Sequence, residues 1–180
     1  MIGYMASGKT TLGRALARTY GLGFIDLDRY VEGRMHASVS DIFAARGEEG
    51  FRQLERNMLH EVSEFEDVVV ACGGGTPCFF DNMELLNSHG ITVFLDTGPE
   101  ILFRRLKQAS AARPLVAGKS DEELRRTIAE GLEKRRPYYS QAAIKIDGGR
   151  LESRSQVDET VETLRKLIDK AYEESADSAR

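Results

Sequence analysis

Residues 3–10 read Gly3-Tyr4-Met5-Ala6-Ser7-Gly8-Lys9-Thr10, a complete G-x-x-x-x-G-K-T, and a helical pattern begins directly behind them. No other feature of the chain restricts its fold so strongly, because this loop works only between a strand and a helix. Its glycines let the backbone curl until successive N–H groups and the helix N-terminus face anionic oxygens. Gly3, Ala6, Ser7, Gly8, Lys9, Thr10 and Thr11 are therefore the candidate contacts for nucleotide phosphates. Lys9 adds a point charge near the β and γ phosphates, and the Thr10 hydroxyl suits Mg²⁺. A chance glycine turn is the competing reading, and the strict spacing with a helix behind it argues against that. Only Met1 and Ile2 precede Gly3, whereas an ordinary strand has about five residues. The first strand is thus expected to be missing or a stub, with translation starting upstream of this Met1.

Behind the loop, strand and helix patterns alternate. Lys9 to Tyr20 reads as helix closed by Gly21, and residues 24–28 as a buried strand ending in the acids Asp26 and Asp28. Residues 29–65 suit two or three helices, interrupted near Ala37-Ser38 and Gly47, with Ser38 and Asp41 spaced as a capping box. Residues 68–72 form a continuous apolar run stopped by Gly73-Gly74-Gly75, as an interior parallel strand requires. A helix over 81–89, a strand over 91–95 and a helix over 99–107 follow. Residues 108–119 lack periodicity and read as a lid loop. Ser120 and Glu123 cap a helix expected to stop at Arg136 before Pro137, and 144–146 is a short strand. Val157, Val161, Leu164 and Ile168 mark the buried stripe of a last helix, with a polar tail over 173–180. The expected architecture is a single α/β/α domain over residues 1–172 with a central parallel sheet. Ligands of such sheets gather beyond the carboxyl ends of the strands, which brings Asp26, Asp28 and the glycine triplet together.

Bulk composition narrows the function classes. The formal net charge is −4 and no long basic run occurs, which disfavours a nucleic-acid partner. No apolar stretch approaches the roughly 18 residues that span a bilayer, and no export segment is visible, so the expected location is the cytoplasm. The two cysteines, Cys72 and Cys78, have neither zinc nor redox spacing, and His36, His60 and His89 are scattered.

The acceptor must be read from other polar groups. Asp26 and Asp28, alternating on a strand, would diverge to opposite faces, one toward the Mg²⁺ shell and the other toward an acceptor hydroxyl. Arg52, Arg113 and Arg135 lie far apart in sequence, and guanidinium forks converging on one cleft would suit an acidic substrate and a migrating phosphoryl group. For each arginine alone, a solvated helix position is the plainer reading.

The segments GYMASGKTTLGRALA, GFIDLDRYVEGR, SVSDIFAARGEEGFRQLE, VVVACGGGTP, ARPLVAG and EKRRPYY, in this order, make the chain resemble the shikimate kinase family from Gly3 to about Ile146. The resemblance implies a P-loop fold like that of nucleoside monophosphate kinases. It also implies ATP-dependent phosphorylation of the 3-hydroxyl of shikimate, on the route to chorismate and aromatic amino acids. Carried over, Asp28 would hold the shikimate hydroxyls including the nucleophile, and Asp26 would sit near Mg²⁺ through water. Arg52 and Arg135 would clamp the carboxylate and Glu55 would orient Arg52. Gly73, Gly74 and Gly75 would bring amides to the substrate, while Phe43 and Phe51 would wall its ring. Arg113 would neutralise the transferring group, making Lys9, Asp28 and Arg113 the catalytic set, and Arg105 would stack on adenine. Cys72 and Arg136 depart from the family pattern. The partners implied are ATP and shikimate, with a monomer as the working unit. Alternatives are another small-molecule kinase of this fold, acting on gluconate or a nucleoside monophosphate, or a non-catalytic ATP-binding module.

Overall fold

A computed structural model describes residues 1–108 and 119–178. Helix α1 spans Lys9–Tyr20, between Gly8 and Gly21, both with left-handed backbone (φ 103° and 70°). The Gly21 N–H reaches the Ala17 and Arg18 carbonyls, satisfying acceptors that a helix end leaves open. Strand β1 (Gly23–Asp26) leads into α2 (Leu27–Met35), whose N-cap is Asp26 itself. Helix α3 (Val39–Ser63) starts on the expected Ser38 cap and kinks at Gly47, where φ 68° and ψ −178° are non-helical. Strand β2 (Val68–Ala71), a short 3₁₀ turn (Thr76–Cys78), α4 (Asn82–His89), β3 (Val93–Asp96) and α5 (Pro99–Gln108) follow. Helix α6 (Asp121–Tyr139), β4 (Ile144–Asp147) and α7 (Arg154–Ser178) complete the order.

Strands β1 and β2 pair in parallel, as do β3 and β4. Residues 1 and 2 lie between these pairs. The Cys72 N–H donates to the Met1 carbonyl (3.0 Å), the Ile2 N–H to Val93 (2.8 Å), and the Leu95 N–H to Ile2 (3.0 Å). Ile2 also bridges Phe94 in parallel sense. The expected stub is therefore present, and two residues provide the ladder partners that connect the halves of the sheet.

Alternation along the strands divides the core. Val69, Val93, Leu95 and Ile146 face Leu12, Leu16, Val161 and Leu164 of α1 and α7. Ile2, Cys72 and Phe94 face Leu59, Val62, Met83 and Tyr139 on the other side. This is the three-layer α/β/α arrangement with parallel strands.

Three local expectations are corrected. Asp28 is not on a strand but in the first turn of α2, because the Asp26 carboxylate caps that helix at the Arg29 N–H (3.4 Å) and ends β1. Helix α6 does not stop before Pro137 but runs to Tyr139. Proline removes only its own N–H; Ser140 still donates to the Arg136 carbonyl (2.9 Å), and buried Tyr139 docks the extra turn. Helix α7 continues to Ser178, through most of the segment read as a polar tail.

Candidate active site

The loop over residues 3–10 is held in strained backbone. Gly3 and Gly8 have φ of 144° and 103°, and Ala6, which carries a β-carbon, sits at φ 60°. Such outliers persist where surrounding structure over-determines them, commonly at ligand sites. Gly8 gives α1 no side-chain cap and no acid occupies its first turn, so the positive end of the helix faces the loop. The Lys9 ammonium donates to the carbonyls of Gly3 and Tyr4, both at 2.9 Å, and so lies across the loop. Thr10 donates to Asp26 Oδ2 at 2.9 Å. This hydroxyl and carboxylate are hard oxygen donors, the set a small divalent cation takes alongside phosphate oxygens and water. Among the described residues no group of three or more His, Cys, Asp or Glu could cage a metal without such help.

The glycine triplet is the meeting point of the remaining groups. A β-carbon built on Gly73 would lie 2.7 Å from Asp28 Oδ1 and 3.0 Å from both Glu55 Oε1 and Thr76 Oγ1. One on Gly74 would lie 3.2 Å from Arg135 Nη1 and 3.3 Å from the Met5 amide nitrogen. One on Gly75 would lie 2.6 Å from Arg52 Nη2. None of the three has a positive φ, so glycine serves here for space rather than for conformation. Asp28, Glu55, Arg52 and Arg135 thus converge beside the phosphate loop. The two aspartates do separate, as expected, but by the strand-to-helix turn rather than by strand alternation.

Glu55 is almost fully buried. Its carboxylate accepts from Arg52 Nη1 at 2.8 Å and from the Thr76 hydroxyl at 2.5 Å. Buried charge of this kind needs such partners. Phe43 and Phe51 stack at 4.4 Å and flank the Arg52 guanidinium at 5.9 and 5.2 Å. Asp28 is exposed as a residue, yet its carboxyl faces Gly73 and its pKa is pushed up to about 6. The largest cause is loss of hydration against the cleft walls, followed by the negative charges of Glu55 and Asp26.

Two adjacent arginines part company. Arg135 faces the triplet and lies over the Tyr4 ring at 5.0 Å. Arg136 instead lines grooves with Glu133, Pro99, Lys145 and Asp147 on another side of α6. Arg105 underpins the loop: its Nη1 donates to Ala6, Ser7 and Gly148 carbonyls at 3.3, 3.2 and 2.9 Å, and it pairs with Glu152. Arg113, and the lid expected over 108–119 beyond Gln108 and before Lys119, lie outside the described residues.

Sequence reasoning missed three neighbours. Thr76 bonds Glu55; the Phe79 ring centroid lies 4.2 Å from Arg52 Cζ; and the Tyr139 hydroxyl donates to the Gly74 carbonyl at 2.5 Å. The repeated tyrosine of KRRPYY carried a signal only in hindsight of α6 continuing past Pro137, and Phe79 belongs to no periodic pattern.

A sequence model described as shikimate kinase matches residues 5–165. The chain belongs to the shikimate kinase family. A shikimate kinase of Phocaeicola vulgatus is 58% identical over 170 residues, covering 94% of this chain and 97% of its own. The crystal structure of shikimate kinase from Bacteroides thetaiotaomicron superposes with a TM-score of 0.88 at 51% identity, covering 93% of this chain and 95% of that one. That of Acinetobacter baumannii shikimate kinase, in complex with shikimate, gives 0.83 at 31% identity, covering 94% and 91%. The chain is accordingly an enzyme, a kinase of that family with the P-loop fold. No helix among the described residues is long and apolar enough to cross a membrane.

Proposed function

We propose that the chain phosphorylates the 3-hydroxyl of shikimate at the expense of ATP, and that the transfer occurs in the cleft around Gly73, Gly74 and Gly75, with the phosphate loop on one side and the acceptor pocket on the other. The observation that supports this most is the crowding of that triplet by Asp28, Glu55, Arg52, Arg135 and the Met5 amide within about a β-carbon's reach. Loop amides of residues 3–11 and the α1 N-terminus hold the phosphates, and Lys9 turns from the Gly3 and Tyr4 carbonyls to them. Arg52 and Arg135 bind the shikimate carboxylate, since two guanidinium groups supply paired donors that carboxylate geometry matches. Glu55 keeps Arg52 in place, and Phe43 and Phe51 wall the ring of the acceptor.

Asp28 orients the 3-hydroxyl and takes its proton as the oxygen attacks the γ phosphorus; the bond from that phosphorus to the ADP oxygen breaks. The transition state is loose, so positioning and charge neutralisation supply most of the acceleration. Thr10 and Asp26 hold Mg²⁺, which when bound neutralises the charge of the terminal phosphates. Arg113 is assigned to the transferring group from its place in ARPLVAG, and Arg105 to the adenine side of the loop that it braces. The biosynthetic role of the family supports a cytoplasmic location.

An ADP-release assay on single variants tests the assignment. Arg52→Ala and Arg135→Ala should each raise the KM for shikimate by about 10-fold or more, the range for one charged hydrogen bond, while the KM for ATP stays within about twofold. Lys9→Ala should lower kcat with little change in the shikimate KM. Equal loss for both substrates in the arginine variants would count against the two-sided cleft.

A further inference from the structure

Arg52 is held from more directions than an orienting carboxylate explains. Its Nη1 donates to Glu55 and its Nη2 approaches Glu48 at 3.4 Å. The ring of Phe79 lies against the guanidinium, 4.2 Å from Cζ, closer than either Phe51 or Phe43. A cation over an aromatic face at this range is attracted by the ring quadrupole, and more so where water is excluded. The Arg52 side chain is only 12% exposed.

The backbone that delivers Phe79 is unusual. After the 3₁₀ turn, Phe79 is extended (φ −120°, ψ 147°), and Phe80 then takes a left-handed φ of 51°. A bulky residue rarely adopts that conformation, and it persists only when neighbours fix it. Here they do. The Asn82 amide is buried and donates to the Thr76 carbonyl at 2.8 Å. Arg56 lies 5.2 Å from the Phe80 ring and grips both oxygens of Asp81 at 2.8 and 3.1 Å. Arg52 and Arg56 are one turn apart on the same face of α3. The left-handed residue therefore splits the consecutive rings: Phe79 turns in onto Arg52 and exposed Phe80 turns out onto Arg56.

We propose that Phe79 is a positioning residue of the acceptor pocket: its ring fixes the plane of the Arg52 guanidinium, so that the fork meets the carboxylate already aligned. This rests on the reading that Arg52 binds the carboxylate of shikimate. An unstacked arginine loses more side-chain freedom on binding, and that loss appears in the affinity for the acid.

The test compares Phe79→Leu, Phe79→Tyr and Arg52→Ala in the full chain, with shikimate and with an analogue whose carboxylate is replaced by a hydroxymethyl group. Phe79→Leu should raise the shikimate KM by about 3- to 30-fold, the span of a buried cation–π contact. The KM for ATP and the kcat at saturating shikimate should stay within about twofold. Phe79→Tyr, which keeps the aromatic face, should restore the wild-type KM. With the neutral analogue, Phe79→Leu and the parent should be equally poor. A KM for shikimate unchanged in Phe79→Leu, or a penalty of the same size on the neutral analogue, overturns the proposal. If Arg52→Ala raises the shikimate KM and Phe79→Leu does not, only the role of Phe79 fails; if Arg52→Ala also leaves it unchanged, the assignment of Arg52 fails with it.

Discussion

Asp28 carries two conflicting demands. A group that accepts a proton near neutral pH works best with a raised pKa, and the same raised pKa makes its charged form costly to hold. With a value of about 6, the acidic limb of kcat/KM for shikimate should have its midpoint near pH 6, not near the 3.8 of an ordinary aspartate. Stability runs the opposite way. Because the folded value lies above the unfolded one, the contribution of Asp28 is complete below about pH 4 and is lost as pH rises through about 6. Asp28→Asn should therefore lower kcat far more than it weakens ATP binding, and at pH 7 to 8 it should raise Tm slightly. Asp28 is an exposed residue, so screening keeps that gain small. Kinetics and thermal melts at pH 5 and pH 8 on one pair of proteins check both signs; an unchanged kcat would remove Asp28 from the chemistry.

Among the elements, the turn after β2 matters most. Ala71 ends the strand, and beyond Cys72 the glycines Gly73, Gly74 and Gly75 pass so close to side chains of α2, α3 and α6 that an added β-carbon would press on them. Gly75→Ala places a methyl 2.6 Å from Arg52 Nη2 and within 2.9 Å of Cζ and Nη1, all at the far end of a flexible side chain. The fold can accommodate this by moving Arg52, so unfolding free energy should change by less than about 1 kcal/mol, while the shikimate KM rises by about 10-fold or more. A urea titration beside initial-rate kinetics separates the two effects. A large stability loss with an unchanged KM would mean that the triplet serves packing alone. The motif and the stop signal of these glycines are visible in sequence, and so is the acid-rich end of β1. What sequence concealed is the identity of the atoms that need the space.

The whole molecule depends on a short connection. Strand pairs β1–β2 and β3–β4 meet only through residues 1 and 2 among the described backbone pairings, and Ile2 is fully buried between Phe94 and Cys72. Ile2→Ala should cost about 2 to 5 kcal/mol, the usual range for truncating a buried isoleucine. The change should appear as a lower urea midpoint with an unaltered slope, since the surface exposed on unfolding is the same. A shallower slope would show instead that the halves of the sheet unfold separately. Local signals in the chain, namely the phosphate loop, the caps at Ser38 and Ser120, the apolar runs of the strands and the stripe of α7, determined by themselves the element order, the α/β class and the kinase family, because each acts over a few residues. Tertiary structure decided the rest. Neighbouring helix positions point about 100° apart, so only the docking of α6 shows that Arg135 reaches the glycines while Arg136 does not. Likewise only the packing of the β2–α4 connection onto α3 brings Phe79 to Arg52. Contacts between residues far apart in sequence are set by how layers stack, and no local pattern encodes that.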